Sequence, residues 1–233
     1  ESIGVISTSN NACIYNATAT GTTFGYDSLV VHSVGGGTQG RGIRGANNQN
    51  GYIRNCLCVT DVTGSGTNIY GLYIPGATDT DALAIDNNTF IRLGTGYGGT
   101  DGFVNVVTAA AALKTIFRNN VVLCSESDCF SVSNTGNTNN ATNASSDSTS
   151  FGTGALTSIT SAAFKDYAGG NYRPATGGVL YEAGTDLSNG PDIRGEALRH
   201  ISIGAYDSEY VYRTLKASAG DYSLMSTWES TEQ

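Results

Sequence analysis

The sequence predicts an all-β chain wound as a parallel β-solenoid, with coils of about 30 residues and an irregular C-terminal cap. Three observations carry this expectation. The composition is hostile to long helices, one segment recurs at a fixed spacing, and the recurrence stops in a polar C-terminal stretch.

Of 233 residues, 31 are Gly and 3 are Pro, and only 14% are charged; Lys occurs at Lys114, Lys165 and Lys216 alone. Long helices draw on Ala, Leu, Glu, Lys and Arg, whereas short strands joined by Gly and Asn turns match this composition. No apolar run approaches the ~20 residues that cross a bilayer, so no membrane insertion is expected. The net charge of −8 disfavours nucleic acid and anionic membrane surfaces, which select clustered Lys and Arg.

"IRNCLCV" (53–59), "IDNNTFI" (85–91) and "FRNNVVL" (117–123) recur twice at a spacing of 32 residues. Asn55, Asn87 and Asn119 fall in one column; Asn88 and Asn120 fall in the next, where Cys56 is the exception. Three apolar columns follow, Leu57/Thr89/Val121, Cys58/Phe90/Val122 and Val59/Ile91/Leu123, and are expected to point inward. A looser set precedes each: "RGIRG" (41–45), "YGLYIPG" (70–76), "DGFVNVV" (101–107) and "DCFSVSN" (128–134). Two strands and several turns per period are what one coil requires, with like side chains stacked in rows. Asn suits such a column because it tolerates the left-handed bend between strands and its amides bond along the row. A sandwich or barrel would show turns every 8–12 residues and no aligned Asn column.

Five cysteines, Cys13, Cys56, Cys58, Cys124 and Cys129, leave at least one thiol unpaired within the chain. Cys56 and Cys58 would share one strand face and are read as buried apolar residues. Cys124 and Cys129 flank "SESD" and are the candidate disulfide across a turn. His32 and His200 stand far from every closely spaced cysteine pair, so no metal site is expected. Asn-X-Ser/Thr occurs at Asn16, Asn87, Asn140 and Asn143, matches that an Asn-rich chain produces by chance.

From about Asn134 polar residues take over. Four ordered pieces, "FKDYAGGNYRPA" (164–175), "GVLYEAGTDL" (178–187), "DIRGEALR" (192–199) and "ISIGAYDSE" (201–209), resemble the C-terminal end of right-handed parallel β-helix proteins of the pectate-lyase-like superfamily, several of them choice-of-anchor domain proteins. The departures are Asn171 for an acidic residue and Leu180-Tyr181-Glu182 where Ala-Ile-Asp is usual. The resemblance implies a right-handed parallel β-helix over 1–136, a capping region over 137–210 that closes the open end, and a linker or short helix over 211–233. It implies a cap core of Phe164, Tyr172, Leu180, Tyr181, Ile193, Ile201, Ile203 and Tyr206. Asp166, Arg173, Asp186, Asp192, Arg194 and Arg199 are read as turn formers and surface pairs.

"TLKASAGDYSLMSTWESTEQ" (214–233) is similar to segments that open β-helix domains in large repetitive surface and virus-associated proteins. Tyr222, Leu224 and Trp228 would contact the next unit, with Ser223 as a candidate N-cap. An opening motif after a closing one, in a chain whose first residue is Glu1, leads us to expect a piece of something longer, joined to adjacent domains or to neighbouring copies.

A polysaccharide lyase needs a base beside the uronate carboxyl, and Ca²⁺ or another cation to neutralise it. Lys114, Arg54 and Arg118 are the candidate cations, although Arg54, Asp86 and Arg118 also align as a charge ladder between coils. The paired carboxylates of a glycosidase would have to come from Asp79 and Asp81 or from Glu126 and Asp128, all in polar turns. The preferred expectation is therefore a structural or adhesive module without a cofactor, on an extracellular, cell or virion surface, with surface glycans as a partner. The lyase or glycoside hydrolase is the alternative.

Overall fold

The computed structural model describes residues 2–4, 12–15, 23–36, 39–45, 50–63, 68–77, 83–94, 101–108, 115–125, 128–133, 137–188, 193–194 and 201–206. Its strands enter three sheets, A, B and C, in rotation. The first pass is β1 (Ser2–Gly4), β2 (Ala12–Tyr15) and β3 (Thr23–Asp27). The second is β4 (Val30–Gly36), β5 (Gln39–Arg44) and β6 (Asn50–Arg54). The third is β7 (Leu57–Thr63), β8 (Asn68–Ala77) and β9 (Leu83–Asp86). The fourth is β10 (Thr89–Arg92), β11 (Val104–Thr108) and β12 (Ile116–Arg118). A fifth begins with β13 (Val121–Leu123) and β14 (Phe130–Val132), and β15 (Ala144–Ser145) returns to sheet A. A short antiparallel pair, β16 (Phe164–Asp166) and β17 (Asn171–Pro174), follows.

Sheet A has the order β1-β4-β7-β10-β13-β15, sheet B β14-β11-β8-β5-β2 and sheet C β12-β9-β6-β3. Every pairing within them is parallel. Among the described residues the chain is thus all-β, built from stacked parallel sheets none of which closes on itself, an arrangement compatible with a β-solenoid. Partners in sheet A are separated along the chain by 28, 27, 32, 32 and 23 residues. Parallel pairing continues past residue 136, through β15 and the bridges of Ala141 with Arg118 and Thr153.

The core between the sheets is three stacked columns in register: Val31/Cys58/Phe90/Val122 from A, Ile43/Leu72/Val104/Phe130 from B and Ile53/Ile85/Phe117 from C. Gly42 and Gly71 allow sheets A and B to approach. A Cβ on Gly42 would collide with Cys58 Sγ and lie 2.7 Å from the Gly71 carbonyl oxygen. Phe151 ends the stack, its ring edge-on to Phe117 at 5.4 Å and to Phe130 at 5.3 Å.

Only one of the three apolar columns of the repeat points into this core. Because side chains alternate along a strand, Leu57, Val59, Ile91, Val121 and Leu123 face the opposite side of sheet A. They are buried there against Ile159, Ala163, Phe164, Tyr172, Leu180 and Ile203, with Ile193 and Tyr206 packed at the margin. Tyr181 and Ile201 are half-buried. The described residues of segments 164–206 thus pack along the second face of sheet A, while Phe151 packs against the last core rings, Phe117 and Phe130. Two apolar faces on one sheet demand two covers, and each large side chain buried in this way contributes about 2 kcal/mol.

Gly204 marks the closest approach of this cover. Its φ is +114°, and a Cβ would stand 2.8 Å from Thr89 Oγ1 and 3.0 Å from Val121 Cγ1. Its N–H donates to the Asn119 carbonyl (2.8 Å), and the next amide, Ala205, donates to Thr89 Oγ1 (2.9 Å). Gly204→Ala is expected to destabilise the protein by about 2 kcal/mol through backbone strain and contact. Urea denaturation checks this; an unchanged midpoint would contradict the seating.

Candidate functional site

The richest constellation of polar side chains lies where the chain leaves sheet C and enters sheet A. Each pass turns there on one residue in the left-handed region: Ser28 (φ 55°), Asn55 (53°), Asn87 (53°), Asn119 (55°) and Thr142 (46°). A non-glycine residue adopts this conformation at modest cost when it is Asn. The amide of each bend residue donates to the next pass, Asn55 to the Asp86 carbonyl (3.1 Å) and Asn87 to that of Arg118 (2.9 Å).

Two side-chain ladders run through these bends. In the outer one, Asn87 Nδ2 donates to Asn55 Oδ1 (3.4 Å) and Asn119 Nδ2 to Asn87 Oδ1 (2.9 Å). It is closed at one end by Asp27, which accepts from Asn55 Nδ2 (3.0 Å). At the other end Thr142 and the Thr185 amide donate to Asn119 Oδ1. In the inner ladder Asn88 Nδ2 donates to Asn120 Oδ1 (2.9 Å) and Asn120 Nδ2 to Asn143 Oδ1 (2.9 Å). Each of these carbonyl oxygens also takes a backbone N–H of the preceding pass: Cys56 to Asn88, Asn88 to Asn120 and Asn120 to Asn143. The second amide hydrogens go to the backbone carbonyls of Ile53 (2.9 Å), Ile85 (2.7 Å) and Phe117 (3.0 Å). Cys56, without a side-chain amide, is where the inner ladder starts; its thiol donates to the Arg54 carbonyl (3.1 Å), and burial pushes that thiol up to about 12.

Beside the ladders, the register of sheet C places Asp27, Arg54, Asp86 and Arg118 in one column. Arg54 Nε and Nη2 both lie 2.7 Å from Asp27 Oδ2, and Arg118 engages both Asp86 oxygens, at 2.9 and 2.6 Å. The hydrogen bond from Arg118 to Asp86 raises the guanidinium above its ordinary value against the opposing effect of burial. Arg54 also stacks on the Tyr52 ring at 4.5 Å. Both arginine candidates are therefore held in ion pairs. Lys114, Asp79, Asp81 and Glu126 lie outside the described residues, as do Tyr222, Leu224 and Trp228. Asp128 is exposed.

Ser28, Thr142, Asn143 and Asp27 belong to these columns but escape a search at one fixed spacing. The signal that could have found them is local: "DSLV" (27–30) and "ATNAS" (141–145) stand in for "RNNVV" (118–122). Asn87, Asn140 and Asn143, three of the Asn-X-Ser/Thr matches, are buried, and Asn140 Oδ1 accepts the Phe117 amide (2.9 Å). Asp166 and Asp186 each accept a backbone amide two or three residues on, as turn formers do. Cys124 and Cys129 are free thiols in this structure.

Asp147 joins the end of the stack to the following segment. It accepts from the Cys129 amide (2.8 Å), the Thr149 amide (3.0 Å) and Thr149 Oγ1 (2.7 Å). Burial alone would raise this carboxyl, but the bonds from Thr149, Cys129 and Ser145 outweigh it and hold the group below its ordinary value. A carboxyl depressed by folding stabilises the protein above the unfolded value of about 3.9 and loses that contribution as pH falls through the folded value. The deficit of Asp147→Asn relative to wild type should therefore shrink between about pH 6 and about pH 3. Denaturation curves at both values read it, and a deficit independent of pH would refute the assignment.

The class defined by fold and site is an all-β chain of stacked parallel sheets stitched by side-chain ladders. No protein-family model, curated protein or solved structure matches it.

Proposed function

We propose that the chain is a structural or adhesive module, a right-handed parallel β-helix of the pectate-lyase-like superfamily, carried on an extracellular, cell or virion surface. One observation carries the reading: strands in three sheets repeat in rotation, with like side chains in register from pass to pass. Such a stack is extended by adding further passes, and its stability accrues from one neighbour to the next. Its polar residues serve the same end, because the Asn ladders and the Asp–Arg column spend their hydrogen bonds between passes.

In this reading a neighbouring copy or an adjacent domain continues the stack by pairing with a free strand edge. The outer face of sheet C, with the 37%-exposed Tyr52 ring beside Arg54 and Asp27, meets surface glycans, since an apolar ring beside hydrogen-bonding groups suits a sugar.

Electron microscopy and sedimentation of native material are expected to show end-to-end assemblies or elongated particles continuous with further coils. Compact isolated monomers at every concentration would overturn the assembly. An absorbance rise from unsaturated uronate product would move the assignment to the polysaccharide lyases.

A further inference from the structure

One pair of nucleophilic side chains takes no part in the ladders. Cys124 leaves the end of β13 and Cys129 precedes β14, and their sulfurs are 2.7 Å apart. That is closer than two unbonded sulfurs normally stand, and longer than the bonded separation of about 2.05 Å. The residues on either side of the turn between them, Ser125 and Asp128, are exposed.

The backbone around the pair is fixed from outside the turn. Ser146 Oγ donates to the Cys124 carbonyl (2.7 Å), accepts the Cys124 amide (3.0 Å) and lies 3.1 Å from Cys129 Sγ. The Cys129 amide donates to Asp147 and the Phe130 amide to Thr149 Oγ1 (2.9 Å). The backbone at both cysteines is thus held in place by the segment that follows the stack.

We propose that Cys124 and Cys129 form a thiol–disulfide exchange site, closed to an intramolecular disulfide by low-molecular-weight disulfides of the glutathione type. Cys124, the residue with some exposure (9%, against none for Cys129), attacks the incoming disulfide and releases one thiol. Cys129 then attacks the Cys124 sulfur and releases the second. Two protein S–H bonds and one small-molecule S–S bond break; one protein S–S bond and two small-molecule S–H bonds form. In the reduced pair the hydrogen bond from Cys124 lowers the Cys129 thiol, against the opposing effect of burial; the order of attack follows from exposure, not from this shift. Cys56 and Cys58 do not compete. Both are fully buried, and their thiols donate to the backbone carbonyls of Arg54 and Gly71.

The test starts from the reduced full chain, treated with oxidised glutathione, quenched by acid and mapped by mass spectrometry after alkylation in denaturant. The expected result is a Cys124–Cys129 linked peptide two hydrogens lighter than the reduced pair, with Cys56 and Cys58 recovered alkylated; Cys13 is mapped separately. Cys129→Ala should instead gain one glutathionyl group on Cys124, because nothing resolves the mixed disulfide. Should that variant fail to fold, the wild-type map decides alone. Cys124 and Cys129 recovered alkylated, a stable glutathionyl adduct on either of them in wild type, or a linkage of either to another cysteine would overturn the proposal.

Discussion

Asn120→Ala is expected to destabilise the protein by about 4 kcal/mol, since each buried polar group left without a partner costs about 1–3 kcal/mol. Asn120 is fully buried, and its amide makes four bonds at once. Its oxygen accepts the Asn88 amide and Asn88 Nδ2, and its nitrogen donates to Ile85 O and Asn143 Oδ1. Alanine removes all four. The control is Asn55→Gly in the outer ladder, which keeps the left-handed bend open and loses the bonds to Asp27 and Asn87. Its cost is expected to be about 1 kcal/mol. Urea denaturation of the two variants measures the difference; an Asn120→Ala loss no larger than that of Asn55→Gly would show that the inner ladder is not the stronger one.

Arg118→Met is expected to cost about 3 kcal/mol, because removing one partner of a buried ion pair strands the other. The asymmetry of the pair decides the size. The Asp86 side chain is 4% exposed and the Arg118 side chain 27%. Methionine keeps much of the apolar stem but leaves a buried carboxylate without its guanidinium. In the converse variant, Asp86→Asn, the guanidinium turns to solvent and the loss is about 1 kcal/mol, as for partly exposed pairs. A double-mutant cycle reads the coupling; equal single-variant losses would show that burial of Asp86 does not govern the pair.

The central passes are legible in the sequence because two successive turns of the chain have the same length. The 32-residue spacing aligns Asn55, Asn87 and Asn119, Asn88 and Asn120, and the charged column through Arg54, Asp86 and Arg118. It fails where loops shorten. With 27 residues between Val30 and Leu57 and 23 between Val121 and Ala144, Ser28, Asp27, Thr142 and Asn143 drop out of the alignment although they occupy its positions in space. The facing of sheet A is illegible for a different reason. Alternation reveals a buried face only when the other is polar, and "LCV", "TFI" and "VVL" carry no such contrast because both faces are covered. The ion pairs of Arg54 and Arg118 follow from register, whereas their partners' burial does not. The position of segments 164–206 depends on contacts far apart in sequence, such as Gly204 with Thr89 and Thr185 with Asn119, which no local pattern encodes.

The lateral cover on sheet A changes how the stack should come apart. In a one-dimensional array each layer contacts only its neighbours, so layers open from the ends one at a time. Here a single apolar cluster joins Val30, Leu57, Ile91, Val121 and Ala144, residues of five successive sheet A strands, to Phe164, Tyr172, Leu180 and Ile203. Opening any of these layers exposes surface shared with all the others. The sheet A strands β4, β7, β10, β13 and β15 should accordingly lose hydrogen-exchange protection as one cooperative unit.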